Sequence, residues 1–164
     1  MKRVIIVLIS VLFSSCGMII QGVASGKTSI EKGAIPPDFA NTDHILLCML
    51  DGKKSVDKYM KKHVEKNYKG KYEFVTREDL KTKDKYSDKD TYRYIFESEK
   101  GYAQGQPGMG ASTYSTGPGY NVYKYGIWDR IKLETYSNGV YSSYYGKLIK
   151  AYTVKMEKVR SGEL

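Results

Sequence analysis

Apolar residues are grouped along the chain in ways that separate strands from helices. Ile45 to Leu50 is an unbroken apolar run, flanked by Asn41-Thr42-Asp43-His44 and by Asp51-Gly52. A half-buried strand alternates apolar and polar residues, so a continuous run of this length predicts a central strand covered on both faces. Over Lys53 to Tyr68 the period changes. Val56, Tyr59, Met60, His63, Val64 and Asn67 recur at steps of three and four, with lysines and acids filling most of the rest, which predicts a helix. Gly70 is expected to end it in a left-handed conformation. Tyr72 to Thr76 reads as a second strand, and the intervening helix makes the unit β-α-β with parallel pairing.

Lys81 to Asp90 mixes charges with almost nothing to bury and reads as a solvated loop. Tyr92 to Ser98 is a third strand, followed by a Gly/Tyr-rich loop over 101–119. Tyr120 to Glu134 is the longest alternating stretch. Tyr123, Tyr125, Ile127, Ile131 and Leu133 share one face, expected to point to the core. Lys124, Trp128, Arg130 and Lys132 share the other, and Asp129-Arg130 marks a bend. Asn138-Gly139 is a turn signal, and from Ser143 onward Tyr145, Leu148, Ile149, Tyr152, Met156 and Val159 have helical spacing. The pattern predicts one α/β domain over 42–160. Its mixed sheet has four or five strands and two helices, in the order β-α-β-β-β-α.

The N-terminus follows a different logic. Met1-Lys2-Arg3 is a cationic start, Val4 to Phe13 an apolar run too short for an ordinary membrane span, and Phe13-Ser14-Ser15-Cys16 comes next. These residues resemble a bacterial lipoprotein signal, whose lipobox ends in the lipidated cysteine. The resemblance implies that residues 1–15 are removed and that the Cys16 thiol carries a diacylglycerol, with palmitate-type acylation of the new amino group. Two other readings stay open: an ordinary secretory signal cut after Val23-Ala24-Ser25, and an uncut anchor over Val4 to Ile20. Each of the three places the domain outside the cytoplasm. Residues 16–41, with Gly, Ser and Pro36-Pro37, are expected to form an extended lipid-anchored tether.

Composition adds two facts. Tyrosine is frequent, at 16 of 164 residues, and suits partly wet strand faces and interfaces. The formal net charge is +9, which favours anionic partners. Export argues against nucleic acid as the partner. Local catalytic signatures do not emerge. Ser25-Gly26-Lys27-Thr28 lacks the earlier glycine of a phosphate loop, and Gly105 to Ser112 has Ala111 where that loop needs lysine. The acids of 81–90 lack the glycine and terminal glutamate of a calcium loop. His44 and Cys48 lie roughly 13 Å apart if both are on one strand. No cofactor or metal site is expected. Glu73, Glu78, Asp79, Glu97 and Asp129 are the carboxylates available for acid–base work, without distinguishing context.

The expected function is a lipid-anchored cell-envelope protein, with the outer membrane favoured over the inner, acting as a binding or assembly module without catalysis. The alternative is a periplasmic hydrolase of polysaccharide or peptidoglycan. The expected partners are the membrane, through the lipid on Cys16, and an anionic envelope polymer or another envelope protein. The expected ligand face is Trp128 with Lys124, Arg130 and Lys132, where one ring supplies apolar contact and three cations steer charge.

Overall fold

Leu46–Met49 form strand β1, and all four of its residues are buried. The computed structural model describes residues 17–41, 43–105 and 117–164. β1 pairs in parallel with β2 (Tyr72–Val75) on one side and with β3 (Tyr94–Gly105) on the other. β4 (Gly117–Asp129) and β5 (Glu134–Ser137) then add antiparallel strands, giving a five-stranded mixed sheet in the order β2-β1-β3-β4-β5. β1 is therefore an interior strand, with β3 at the middle. Four helices accompany the sheet: α1 over 17–27, α2 (Lys54–Asn67), α3 (Arg77–Thr82) and α4 (Tyr145–Arg160). The architecture is the α/β domain expected from the sequence.

The alternation of side chains along each strand sends residues to two cores. Leu46, Cys48, Tyr94, Phe96, Tyr125 and Ile127 enter the larger one. There they meet Val56, Met60 and Val64 of α2 and Leu148, Ile149, Tyr152 and Met156 of α4. Full burial of each such side chain contributes about 1.5–3 kcal/mol. On the opposite face Leu47, Met49, Val75 and Ile95 pack under Tyr86 and Tyr92, with Leu80 and Trp128 partly buried beside them.

Several expectations are corrected. α2 does not stop on a left-handed glycine: Gly70 is not among the residues with positive φ. Tyr68 ends the helix in an extended conformation and turns its ring into the core. Gly70 is needed for space instead, since a Cβ there would lie 2.7 Å from both the Tyr68 ring and Arg160 Cδ. The charged stretch read as a loop, Lys81 to Asp90, opens on the last two residues of helix α3, which starts before it at Arg77. Thr76 Oγ1 accepts from the Asp79 amide while Asp79 accepts from the Thr76 amide, a reciprocal cap. β4 ends at Asp129, so Ile131 and Leu133 do not continue its core face. They lie in the following turn, 47% and 66% exposed, with Leu133 in the left-handed region at φ 57°.

The largest correction concerns residues 17–41, which do not form an extended tether. α1 packs Ala24 into the main core, and Ala34, Ile35 and Phe39 follow it there. Polar bonds fix the arrangement. Thr28 Oγ1 donates to the Ala24 carbonyl at 2.7 Å, and Asn138 Nδ2 donates to Thr28 Oγ1 at 2.8 Å. The Asn138 amide in turn donates to the Tyr152 hydroxyl at 2.9 Å. Cys16, the expected signal at 1–15 and the 106–116 part of the expected Gly/Tyr-rich loop lie outside the described residues; 101–105 and 117–119 belong to β3 and β4. Among the described residues no helix is long and apolar enough to cross a membrane.

Candidate functional site

α2 and α4 run side by side in the same direction. Near their C-terminal ends Asn67 Nδ2 donates to Thr153 Oγ1 at 3.0 Å, and the Lys69 amide donates to Glu157 at 2.9 Å. Near their N-terminal ends the Tyr59 ring meets the Tyr145 ring edge-on at 5.6 Å. Gly146 allows that approach, because a Cβ there would sit 2.7 Å from the Tyr59 ring. Along this helix pair lies a cleft of about 530 Å³.

The walls of this cleft are basic. Lys62 and Lys66 face it from α2, Lys147 and Lys150 from α4, with His63 and the aromatic rings of Tyr59 and Tyr144 between them. Lysines three or four apart on one helix face repel each other mildly. Two such pairs confront one another here, and none of the four forms an ion pair within 4 Å among the described residues. The first turn of α4 adds to the positive field, since Tyr144 gives no side-chain cap to the free amides there. His63 records the effect of these surroundings. Burial, then Lys62, Lys150, Lys147 and Lys66, lower its pKa to about 4, so the ring is neutral at physiological pH. Its Nδ1 is buried without a hydrogen-bond partner.

The residues of the ligand face expected from the sequence hold separate contacts in the fold. Trp128 is half-buried beside Ile95, which it faces across the β3–β4 pair, and Thr135 lies opposite it on β5. Lys124 is tied to Glu99 at 2.7 Å and lies over the Tyr141 ring, whose hydroxyl also donates to Glu99. Arg130 donates to the carbonyls of Tyr86 at 2.6 Å and Tyr92 at 2.9 Å, so it staples a loop to the end of the sheet. Lys132 reaches Asp38 at 3.5 Å. The three cations serve three separate structural contacts. Trp128 instead borders a shallow groove with Arg77, Lys81, Leu80 and Glu97.

Most of the candidate carboxylates are also occupied. Glu73 accepts from Lys85, Tyr86 and Tyr92, and Asp79 caps α3. Asp129, fully buried, receives a two-pronged bond from Arg93 and the amides of Ile131 and Lys132. Burial acts to raise the Asp129 pKa, but Arg93 and those amides outweigh it and hold the carboxyl below its ordinary value. Arg93 also pairs with Asp38 at 2.7 Å. Glu97 differs: burial raises its pKa, only partly offset by Arg77 at 3.7 Å. His44 is packed between the rings of Phe39 and Tyr94, both at 4.7 Å. Cys48 is fully buried, and burial raises its thiol pKa. Among the described residues no group of three or more His, Cys, Asp or Glu could hold a metal ion.

Sequence reasoning passed over the lysine cleft. Each helix taken alone shows an apolar stripe and a solvated basic remainder. The one available signal was His63 at the boundary of that stripe, with lysines on both sides of it in the chain. Compared with known proteins, the chain matches no family model, and no curated protein or solved structure matches it either.

Proposed function

We propose that the protein is a lipid-anchored component of the bacterial cell envelope, held by a lipid on Cys16, and that its α/β domain works by binding rather than by catalysis. One positional observation carries this reading. Gly17, the residue after Cys16, lies against α4 so closely that a Cβ on it would sit 3.2 Å from Lys147 Cε. The described chain thus begins beside the unpaired lysines of the α2–α4 cleft. That arrangement turns the cleft toward an anionic partner at the envelope surface. Binding is favoured over hydrolysis because three of the five candidate carboxylates, Glu73, Asp79 and Asp129, already hold structural partners.

Two or more acyl chains hold a protein firmly on a membrane, each buried CH₂ adding about 0.8 kcal/mol. Wild type is therefore expected to incorporate labelled palmitate and to sediment with membranes. Cys16→Ser is expected to lose the label, and either to stay uncut or to leave the membrane fraction. A Cys16→Ser chain that is processed and sediments as wild type does would overturn the proposal.

A further inference from the structure

The cleft and its surroundings say more about the ligand than its sign. Helix α1 begins at the cleft and turns its buried side, with Ala24, toward the core. Its outer side carries Met18, Ile19 and Val23, which are 60%, 62% and 45% exposed. Large apolar residues exposed together on one helix side mark an interaction surface when a compatible partner lies beside them. The start of this helix lies against one of the four lysines, since a Cβ on Gly17 would sit 3.2 Å from Lys147 Cε, and the same cleft holds the exposed Tyr59 and Tyr144. A helix with an apolar side, next to basic residues and amphipathic rings, fits the boundary between headgroups and acyl chains. A soluble anion would use the lysines and leave Met18, Ile19 and Val23 in water. A membrane surface uses both.

We infer that the α2–α4 cleft receives the phosphate headgroup of an anionic phospholipid, surrounded by Lys62, Lys66, Lys147 and Lys150, while Met18, Ile19 and Val23 enter the interface beside it. The inference rests on the functional reading only for the membrane concerned; the cleft and the outer side of α1 carry the rest. Because Nδ1 of His63 is closed off in the protein, Nε2 is the ring nitrogen left to serve the cleft. The groups facing this ring are all neutral or cationic: Lys62, Lys66 and Tyr59 from α2, and Lys147, Lys150 and Tyr145 from α4. A phosphate among them supplies the missing negative charge, favours the imidazolium and lets Nε2–H donate to it. Headgroup binding is thus coupled to proton uptake, and it tightens as pH falls from 7 toward 5.

The mature chain in nonionic detergent micelles provides the test. The micelles are doped with phosphatidylglycerol, with phosphatidylcholine at equal mole fraction, or left undoped with inorganic phosphate added. The imidazole resonances are followed against pH; the chain has two histidines, and His63→Asn assigns them. With phosphatidylglycerol the His63 midpoint is expected to rise from about 4 toward the ordinary value of about 6.5. It should stay low with phosphatidylcholine and with inorganic phosphate. Lys147→Gln/Lys150→Gln, whose His44 resonance reports the intact fold, should start from a higher lipid-free His63 midpoint because two lowering charges are gone, and the further rise on adding phosphatidylglycerol is expected to disappear. No rise with phosphatidylglycerol overturns the inference, as does a rise that survives the lysine replacements. An equal rise with inorganic phosphate overturns the lipid as the source. An unlabelled Cys16 together with a phosphatidylglycerol-dependent rise would sink the anchoring proposal and leave this one standing.

Discussion

Replacing Arg93 by methionine tests the polar cluster that closes the end of the β3–β4 pair. The substitution keeps much of the apolar stem and removes the guanidinium that donates to Asp129 at 2.7–3.1 Å and pairs with Asp38 at 2.7 Å. Asp129 is completely buried, so the carboxylate left behind has no water to replace its partner. Removing one member of a buried pair costs about 3–5 kcal/mol. Two contacts soften the loss. The amides of Ile131 and Lys132 still donate to Asp129 at 2.9 and 3.1 Å, and the Tyr94 hydroxyl still donates to Asp38 at 3.0 Å. The lower end, about 3 kcal/mol, is therefore expected. For an m-value of about 2 kcal/mol/M, urea denaturation should show the midpoint falling by about 1.5 M. Acid gives a second reading of the same cluster. Asp38 and Asp129 both titrate below their ordinary value, each against a burial effect that acts to raise it. Their contribution is complete above the unfolded carboxylate value of about 3.9 and is lost as pH falls through the lower folded values. The gap between wild type and Arg93→Met should accordingly narrow below about pH 3. A midpoint shift under about 0.5 M at pH 7, or a gap that does not change with acid, would refute the argument.

Cys48 should resist alkylation at pH 8 in the folded chain and react once urea unfolds it, since it is fully buried with a raised pKa; fast labelling of the native protein contradicts the β1 placement. Asn138→Ala should lower stability by about 1–3 kcal/mol, because it strips Thr28 Oγ1 and the Val140 amide of a buried partner. An unchanged thermal midpoint for that variant would show that α1 does not depend on this junction.

The parts of the fold that the sequence announced are those whose burial follows a local period. Leu46 to Met49 are buried on both faces, as an unbroken apolar run requires, and Val56, Met60 and Val64 repeat at intervals of one helical turn. Residues 17–41 were misread because their buried positions include the small Ala24, Thr28 and Ala34, which carry little hydrophobic signal. Their docking partner, Asn138, lies more than a hundred residues away. The alternation from Tyr123 to Ile127 was legible and Asp129-Arg130 marked a bend, but the apolar alternation continuing through Ile131 and Leu133 hid that the strand ends there. The partners of the expected ligand face were hidden for a related reason. Period-two reasoning says which side of a strand Lys124, Arg130 and Lys132 leave from; it does not show that Glu99, the Tyr86 and Tyr92 carbonyls, and Asp38 wait for them there. The α2–α4 cleft needs two helices separated by β2, β3, β4 and β5, so its charge density exists only after folding.

The clasp of Asn138 on Ala24 and Thr28 also has a meaning in time. The earliest described helix finds its polar partner 110 residues or more downstream, at a residue itself held by Tyr152 of α4. Contacts of such long sequence separation form late, because the intervening loop must close first. For a chain threaded through a translocation channel N-terminus first, α1 reaches the far side long before residues 138 and 152 do. Under the proposed anchoring, α1 would stay undocked throughout transit, leaving the start of the chain open to the enzymes that would modify and cut at residue 16. The same contact that completes the fold then closes this window, once the last helix has come through.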